Sequence, residues 1–419
     1  MIGFGICINK FWNNLKINSM RRFFMIFTCA FSVACGDGKT EVENDISCVV
    51  INPDRRDVIQ VSDFVESVEY IKLEATPESL LKHVDKVYVM DNQLFVADYA
   101  TKSIYIYDKT GNYRNKISKI GRAGNEYISM DAVMFDSISK EVIVYDLMLE
   151  KVLYYTLDGT CRKVVKRFGS KNEATRFIRD MERLPNGNLL CCQYLHGSHE
   201  KVHIDGLWEM TSDGEFVRWI KQFDMVHPSL DPIFSFHYMD DGAIGWSPVE
   251  YEDDYSYDGK TLKKLISFDV KGPTAKTFTG VYNDQYYNPV PEKMFNSRVY
   301  TQHKGDYVLT YWGAQIKGEY YYSLYNICQN KVIVGTINYM MNDGTAILPT
   351  AYYKSSEPTF TAVNANIPGV IVSYINSGLF FKEDLPAPMK KTVEKITSGM
   401  SENELMNLNP VLQLLRVKK

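Results

Sequence analysis

The chain repeats itself. Without a gap, a stretch beginning at Val96 matches a second beginning at Val144, an offset of 48 residues. Val96-Ala97-Asp98 aligns with Val144-Tyr145-Asp146, Ile104–Tyr107 with Val152–Tyr155, and Thr110-Gly111 with Asp158-Gly159. Arg114 aligns with Arg162 and Gly121 with Gly169. Similarity at a fixed period of this length is the signature of propellers and solenoids. Each copy alternates apolar and polar positions instead of following helical spacing, which selects four-stranded blades over helical repeats. The unit is clearest at Ser103–Ile117: alternating Ile104, Tyr105, Ile106 and Tyr107, a polar turn ending in Gly111, and a return strand from Tyr113. Glycine there supplies the positive φ that a tight hairpin turn demands. Composition agrees: 29 Tyr and 21 Phe favour strands.

Looser hairpins of the same kind follow at Trp208–Lys221, Tyr255–Phe268 and Tyr322–Gly335. Each reads as the outer half of a blade. The inner pairs are Lys86–Met90 with Leu94–Ala97, Ala132–Asp136 with Glu141–Tyr145, Arg179–Leu184 with Leu189–Gln193, Phe234–Met239 with Ala243–Trp246, and Ser297–His303 with Tyr307–Trp312. A further blade is assembled from Pro358–Asn364, Val370–Ile375 and Asn409–Lys418, with Val68–Leu73 from the opposite terminus as its fourth strand. A short helix capped by Ser401 and Glu404 precedes the last of these. The expected fold is therefore all-β: a six-bladed β-propeller of four-stranded antiparallel blades over residues 61–419, its ring closed by an N-terminal strand that removes free sheet edges.

The N-terminus reads as an address. Arg21 and Arg22 precede an apolar run, Phe23–Phe31, which ends in Ser32-Val33-Ala34-Cys35. A basic start, a short apolar core and small residues before a cleavage point describe a secretory signal over residues 20–34. Small residues leading to a Cys resemble a bacterial lipoprotein signal. That resemblance implies a diacylglycerol on the thiol of Cys35, cleavage before it, and an anchor in the membrane. Ser32 departs from the pattern, which usually has Leu or Val there. Met20 is the natural start of this signal, and residues 1–19 read as a start assigned too far upstream. Residues 35–60 are expected to be the lipidated Cys and its tether, with Gly36–Asn44 small, polar and acidic. Acidic residues close behind the Cys resemble a signal for outer-surface display. Beyond residue 35 no unbroken apolar stretch is long enough to span a bilayer.

Tyr70–Leu81, the strands Val87-Tyr88-Val89 and Leu94–Asp98, the loop Ile120–Tyr127 and the closing Asn409–Leu412 together resemble the six-bladed β-propeller lipoproteins of Bacteroides-like bacteria, and more distantly the NHL-repeat propellers. The resemblance spans roughly residues 61–418 and implies a propeller on a lipid anchor, in an outer-membrane and surface-facing setting, with no single activity. The family loop reads Gly-Arg-x-Gly-x-Gly-Pro-Gly-Glu-Tyr, whereas this chain has Gly121–Tyr127 without the Gly-Pro-Gly core.

Ligand-binding candidates follow from the loops that join blades. In Gly121–Tyr127, Arg122 and Glu126 could form a charged fork and Tyr127 a stacking face; a structural loop is the alternative. His196, His199 and His203 lack a fixed acidic or Cys partner, and the acidic run Glu252–Asp254 lacks the register of a calcium loop. Cys191 and Cys192 lie in an apolar strand and read as small hydrophobes. Tyr286, Tyr287, Trp312 and Tyr320–Tyr322 suit either sugar or peptide contact or inter-blade packing. No nucleophile elbow, phosphate loop, dinucleotide fingerprint or zincin motif is present. A net charge of -4 with no basic stripe argues against nucleic acid. The leading expectation is a binding or scaffold module for a glycan, peptide or protein, with no cofactor. The alternative is a calcium-dependent hydrolase or lyase with its site at a central channel.

Overall fold

The computed structural model describes residues 41–42, 47–166, 178–193, 205–223, 235–248, 253–272, 296–314, 319–350 and 358–419. Strands dominate. The chain opens with β1 (Glu41–Val42), β2 (Ser47–Ile51), β3 (Asp57–Gln60), the single-turn helix α1 (Val61–Phe64) and β4 (Val65–Lys72). Antiparallel meanders follow: β5–β8 (Lys86–Met90, Gln93–Asp98, Ser103–Asp108, Tyr113–Ile117) and β9–β12 (Ala132–Asp136, Glu141–Asp146, Lys151–Thr156, Cys161–Lys166). Next come β13–β16 (Asp180–Arg183, Leu189–Gln193, Asp205–Met210, Phe216–Phe223) and β17–β20 (Phe236–Tyr238, Ile244–Trp246, Asp253–Tyr257, Leu262–Val270). Then come β21–β24 (Asn296–Lys304, Tyr307–Ala314, Glu319–Asn326, Lys331–Asn338). The last strands are β25 (Ala362–Ala365), β26 (Val370–Ile375) and β27 (Val411–Val417). Between β26 and β27 lie a 3₁₀ turn and the helices α2 (Ala387–Thr397) and α3 (Glu402–Met406). Ser401 caps α3 as its sequence implies: Glu404 N–H donates to Ser401 Oγ at 3.3 Å and Ser401 N–H to Glu404 Oε2 at 2.7 Å.

The two copies of the repeat fold alike because the same side chains make the same clasps. Asp98 and Asp146, at the ends of β6 and β10, are wholly buried. Asp98 accepts from Lys82 N–H at 2.7 Å and Thr101 N–H at 3.0 Å. Asp146 accepts from Ile128 N–H at 2.8 Å and Leu149 N–H at 3.0 Å. Each carboxylate thus ties the incoming loop to the strand-connecting turn, and a buried carboxylate survives only with such donors. Tyr107 and Tyr155 repeat the logic from the third strand, their hydroxyls donating to Ser79 O at 3.2 Å and Asn125 O at 2.8 Å. Between the two copies, Phe95 and Phe135 lie 5.7 Å apart in a shared apolar layer. Burying each phenyl stabilises the layer by roughly 1.5–3 kcal/mol.

The termini are woven into the sheets. β4 pairs antiparallel with β27, Tyr70 opposite Gln413 and Val68 opposite Leu415. β25 runs parallel to β5, Asn364 opposite Lys86, so β4-β27-β26-β25-β5-β6-β7-β8 is one continuous sheet. β2 runs parallel along β20, with Val49 opposite Phe268, and β3 along β24, with Ile59 opposite Ile337. Residues 35–60 were expected to be a tether, but 47–51 and 57–60 are strands that cover the outer edges of two sheets. The reason is local: Val49 and Ile51 are buried while Cys48 and Val50 are exposed, a period-two pattern masked by the polar segment before it. Cys191 and Cys192 are buried on opposite faces of β14, against Trp208 and Trp246 layers respectively, as small hydrophobes should be.

Candidate functional site

The loop between β8 and β9 is built as a closed turn. Gly121 N–H donates to Tyr127 O and Tyr127 N–H to Lys119 O, both at 2.9 Å. Lys151 Nζ donates to Ala123 O at 3.1 Å and Tyr155 hydroxyl to Asn125 O, so the next meander holds the loop from below. Glu126 folds back and accepts from Ala123 N–H at 2.9 Å; its carboxylate occupies the space a Cβ on Gly121 would need. Arg122 is exposed and has no ion-pair partner among the described residues. Tyr127 is 0% exposed, edge-on to Tyr155, and its hydroxyl donates to Lys102 O at 2.8 Å. The expected stacking face is therefore turned inward, because the Tyr127 ring fills the apolar layer between two sheets. Arg122 and Glu126 form no fork.

Charged groups converge elsewhere, on the first strands β5, β13, β17 and β21 and on β19. Lys86 on β5 crosses β9, donating to Val133 O at 3.0 Å, and reaches Glu182 Oε1 on β13 at 2.5 Å, with Asp180 Oδ1 at 3.5 Å. Tyr238 on β17 donates its hydroxyl to the same Glu182 oxygen at 2.7 Å. All but Tyr238 are nearly solvent-free. Burial works against the ammonium of Lys86, but Glu182 and Asp180 more than offset it and hold the lysine above its usual range. Burial lifts the Glu182 carboxyl above the usual glutamate range; Lys86 opposes this and Asp180 adds to it.

A second cluster lies between the β17–β20 and β21–β24 sheets. The carboxylate of Asp254 receives the guanidinium of Arg298 on one oxygen and His303 Nε2 at 3.2 Å on the other. Arg298 also donates to Pro248 O at 2.7 Å and Asp253 O at 3.0 Å. His237 stacks on His303, ring centroids 4.9 Å apart and nearly parallel, and neither nitrogen of the His237 ring is hydrogen-bonded among the described residues. Its imidazole lies over Gly245, where a Cβ would fall 2.0 Å from Nε2. Burial, and then the neighbouring His303, push His237 well below the usual histidine range, so it is neutral. Burial opposes ionisation of Asp254, but Arg298 and His303 overcome it and hold that carboxyl below the usual range.

The strand turns below these clusters are clasped together. Asp240, after β17, accepts from Gly305 N–H and Gly369 N–H, each at 2.8 Å. Lys304 Nζ donates to Tyr238 O at 2.9 Å and Ile367 O at 3.2 Å. Asn366 exchanges bonds with Val89, Lys140 pairs with Asp91 at 2.7 Å, and Arg183 with Asp136 at 3.1 Å. Of the converging groups only Asp254 was singled out in the sequence, within the acidic run Glu252–Asp254, and it is buried and paired with Arg298 and His303. Lys86 carried a local signal, since it opens the buried apolar run Lys86–Met90, where a charge must be paired; Asp180 and Glu182 sit in the charge-rich strand Asp180–Arg183 and carried none.

Cys35, His196, His199, His203, Glu252, Tyr286 and Tyr287 lie outside the described residues. Of the aromatic candidates, Trp312, Tyr321 and Tyr322 are inter-sheet core, and only Tyr320 is exposed. Among the described residues no three His, Cys, Asp or Glu side chains are grouped to hold a metal ion, and no helix is long and apolar enough to cross a membrane.

The family model of a domain of unknown function, DUF4934, matches residues 46–416. The chain belongs to the DUF4934 family. No curated protein matches it. Among solved structures, this DUF4934 chain is similar to a Bacteroides fragilis protein described as exported, at 14% identity and a TM-score of 0.64, covering 89% of this chain and 100% of that one. It is also similar to a DUF4221 member from Bacteroides vulgatus, at 8% identity and a TM-score of 0.45, covering 84% and 97%. The family match and the likeness to the Bacteroides fragilis protein fit a Bacteroides-like group, and that protein shares the all-β fold of this chain.

Proposed function

We propose that this DUF4934 chain is a six-bladed propeller, its ring closed by β4, that is anchored through lipid on Cys35 at the outer membrane and acts as a non-catalytic binding or scaffold module. The six-blade reading divides the eight-stranded sheet at the β25–β5 boundary, so that β25, β26, β27 and β4 form one blade and β5–β8 the next. It is supported by the chain of polar clasps, from Asn366–Val89 through Asp91–Lys140 and Asp136–Arg183 to Asp240–Gly305, which links each unit's first turn to another's. Glu182–Tyr238 supplies the link between the units that start with β13 and β17.

The observation that carries the functional reading is that the charges of the two buried clusters are paired with one another. Lys86 answers Glu182 and Asp180; Arg298 and His303 answer Asp254. A buried charge answered in this way is compensated within the fold, where removing its partner is what costs stability, and its valence is already taken up by that partner. Recognition then falls to the exposed loops, the usual seat of binding on a rigid β scaffold. A glycan, peptide or protein is the partner class. The test is to screen the full-length, detergent-purified lipoprotein against glycan and peptide arrays while measuring its metal content. Saturable binding by a metal-free protein is the expected result. Stoichiometric calcium that resists dialysis, with hydrolysis or elimination of an arrayed ligand, would replace this reading with the enzymatic one.

A further inference from the structure

In an antiparallel meander, alternate connections lie at opposite ends of the strands. The first-to-second and third-to-fourth connections are short everywhere, for example 91–92, 109–112, 157–160, 258–261 and 305–306. The second-to-third and unit-to-unit connections include every long one: 73–85, 118–131, 167–179, 271–295, 339–361 and 376–410. Among the described strands, one end thus carries only short turns, and the long connections leave from the other.

The N-terminal segment joins the fold at the short-turn end. β1 pairs in parallel with the beginning of β20, Glu41 opposite Leu262 and Val42 opposite Lys263, just after the turn 258–261. β2 continues along β20 from Ile266 to Val270, away from that end. Cys35 precedes Glu41 by six residue steps, a covalent reach of at most about 20 Å. β20 is 9 residues long, so its far end lies about 30 Å beyond. The C-terminal strand finishes on the same side: Val417 N–H donates to Gly369 O and Lys418 N–H to Phe64 O, each at 2.8 Å.

We infer that the lipid on Cys35 holds the short-turn end toward the bilayer and turns the long-connection end away from it. The inference rests on the lipid anchor of the proposed function. The short turns carry carboxylates at Asp158, Asp213 and Asp258 interspersed with Lys109, Lys140 and Lys260, so this end has no basic face to adsorb to anionic headgroups and the tether sets the orientation.

The test uses full-length protein in vesicles of phosphatidylethanolamine and phosphatidylglycerol bearing a headgroup nitroxide. Cys48, Cys161 and Cys328 are replaced by Ser, and a single fluorophore is placed through K260C, in the turn before β20, or M148C, in the exposed turn between β10 and β11. Severalfold stronger quenching at residue 260 than at 148 is expected. Equal or reversed quenching, with acyl mass present on Cys35 and the protein still floating with the vesicles, overturns the orientation alone. If C35A floats as well as the parent, the anchor reading fails and the orientation falls with it.

Discussion

The two buried charge clusters solve the same problem in opposite ways. Around Lys86 there is more acid than base: one ammonium faces Glu182 and Asp180, and the surplus is absorbed by the raised affinity of Glu182 for a proton. Around Asp254 there is more base than acid: one carboxylate faces Arg298 and His303, with His237 stacked behind, and the surplus is absorbed by keeping His237 neutral. The first cluster can shed its imbalance by taking up a proton. The second sheds its surplus only at His237; Arg298 stays charged whatever happens to its partner, because a guanidinium does not deprotonate in a protein. The lesson is that equal burial does not mean equal tolerance; what matters is which partner is left behind.

The sharpest way to break the pairing is Asp254→Ala. It leaves Arg298 buried beside His303 with no carboxylate, at an expected cost of about 3–5 kcal/mol. Lys86→Met leaves Glu182 and Asp180 facing one another, but either can protonate, so its cost should be clearly smaller and should shrink further as pH is lowered toward 5. Urea unfolding of both variants at pH 7.5 and pH 5 checks the ordering; a Lys86→Met cost equal to that of Asp254→Ala at both pH values would remove the distinction drawn between the clusters.

The acid response of the parent protein should come from the second cluster. His237 is held below its unfolded value of 6.5, so as pH falls below that value the unfolded chain takes up a proton that the folded chain refuses. Stability is therefore complete above 6.5 and is lost at up to about 1.4 kcal/mol per pH unit below it. His237→Phe keeps a ring over Gly245 and against His303 while removing the titration. Its unfolding free energy between pH 6.5 and 5 should lose one proton's worth of slope, and an unchanged slope would show that His237 is not the group responsible. Glu182 acts with the opposite sign: its raised folded value favours the folded state as pH falls toward 4.5.

Much of the architecture was legible because it is written in local pattern. The clasps of Asp98 and Asp146, and of Tyr107 and Tyr155, recur at the same offset that revealed the repeat, so sequence similarity and hydrogen bonding are one fact seen twice. The pairing of Val68–Leu73 with the C-terminal strand was legible from the missing fourth partner. What was not legible depends on contacts distant in the chain. Nothing near Tyr127 says that its ring meets Tyr155, or that Lys86 crosses one sheet to reach Glu182 on the next. β2 and β3 were missed because their value lies in covering edges that exist only once β20 and β24 are in place.

Gly245 separates packing from charge within the second cluster. Its backbone is not in the positive-φ region, so the demand for glycine is steric: His237 occupies the space. Gly245→Ala should cost about 1–3 kcal/mol by displacing that ring. In a His237→Ala background the same substitution should be nearly neutral, because the obstruction is gone. A double-mutant cycle by thermal unfolding reads the difference directly, and additive costs would mean that the ring and the glycine are not in contact.

The smallest effect returns to the Lys86 cluster and tests its surplus. Glu182→Gln removes one of two acids but leaves Asp180 to balance the ammonium, and the amide oxygen can still accept from Lys86 and from the Tyr238 hydroxyl. What is lost is the charge-assisted part of one bond, about 1 kcal/mol at pH 7. The gain in stability on acidification attributed to Glu182 should vanish with it, leaving the steeper acid loss set by His237. Were Glu182→Gln to cost as much as Lys86→Met, both acids would be needed to neutralise one lysine, and the surplus that distinguishes this cluster from the other would not exist.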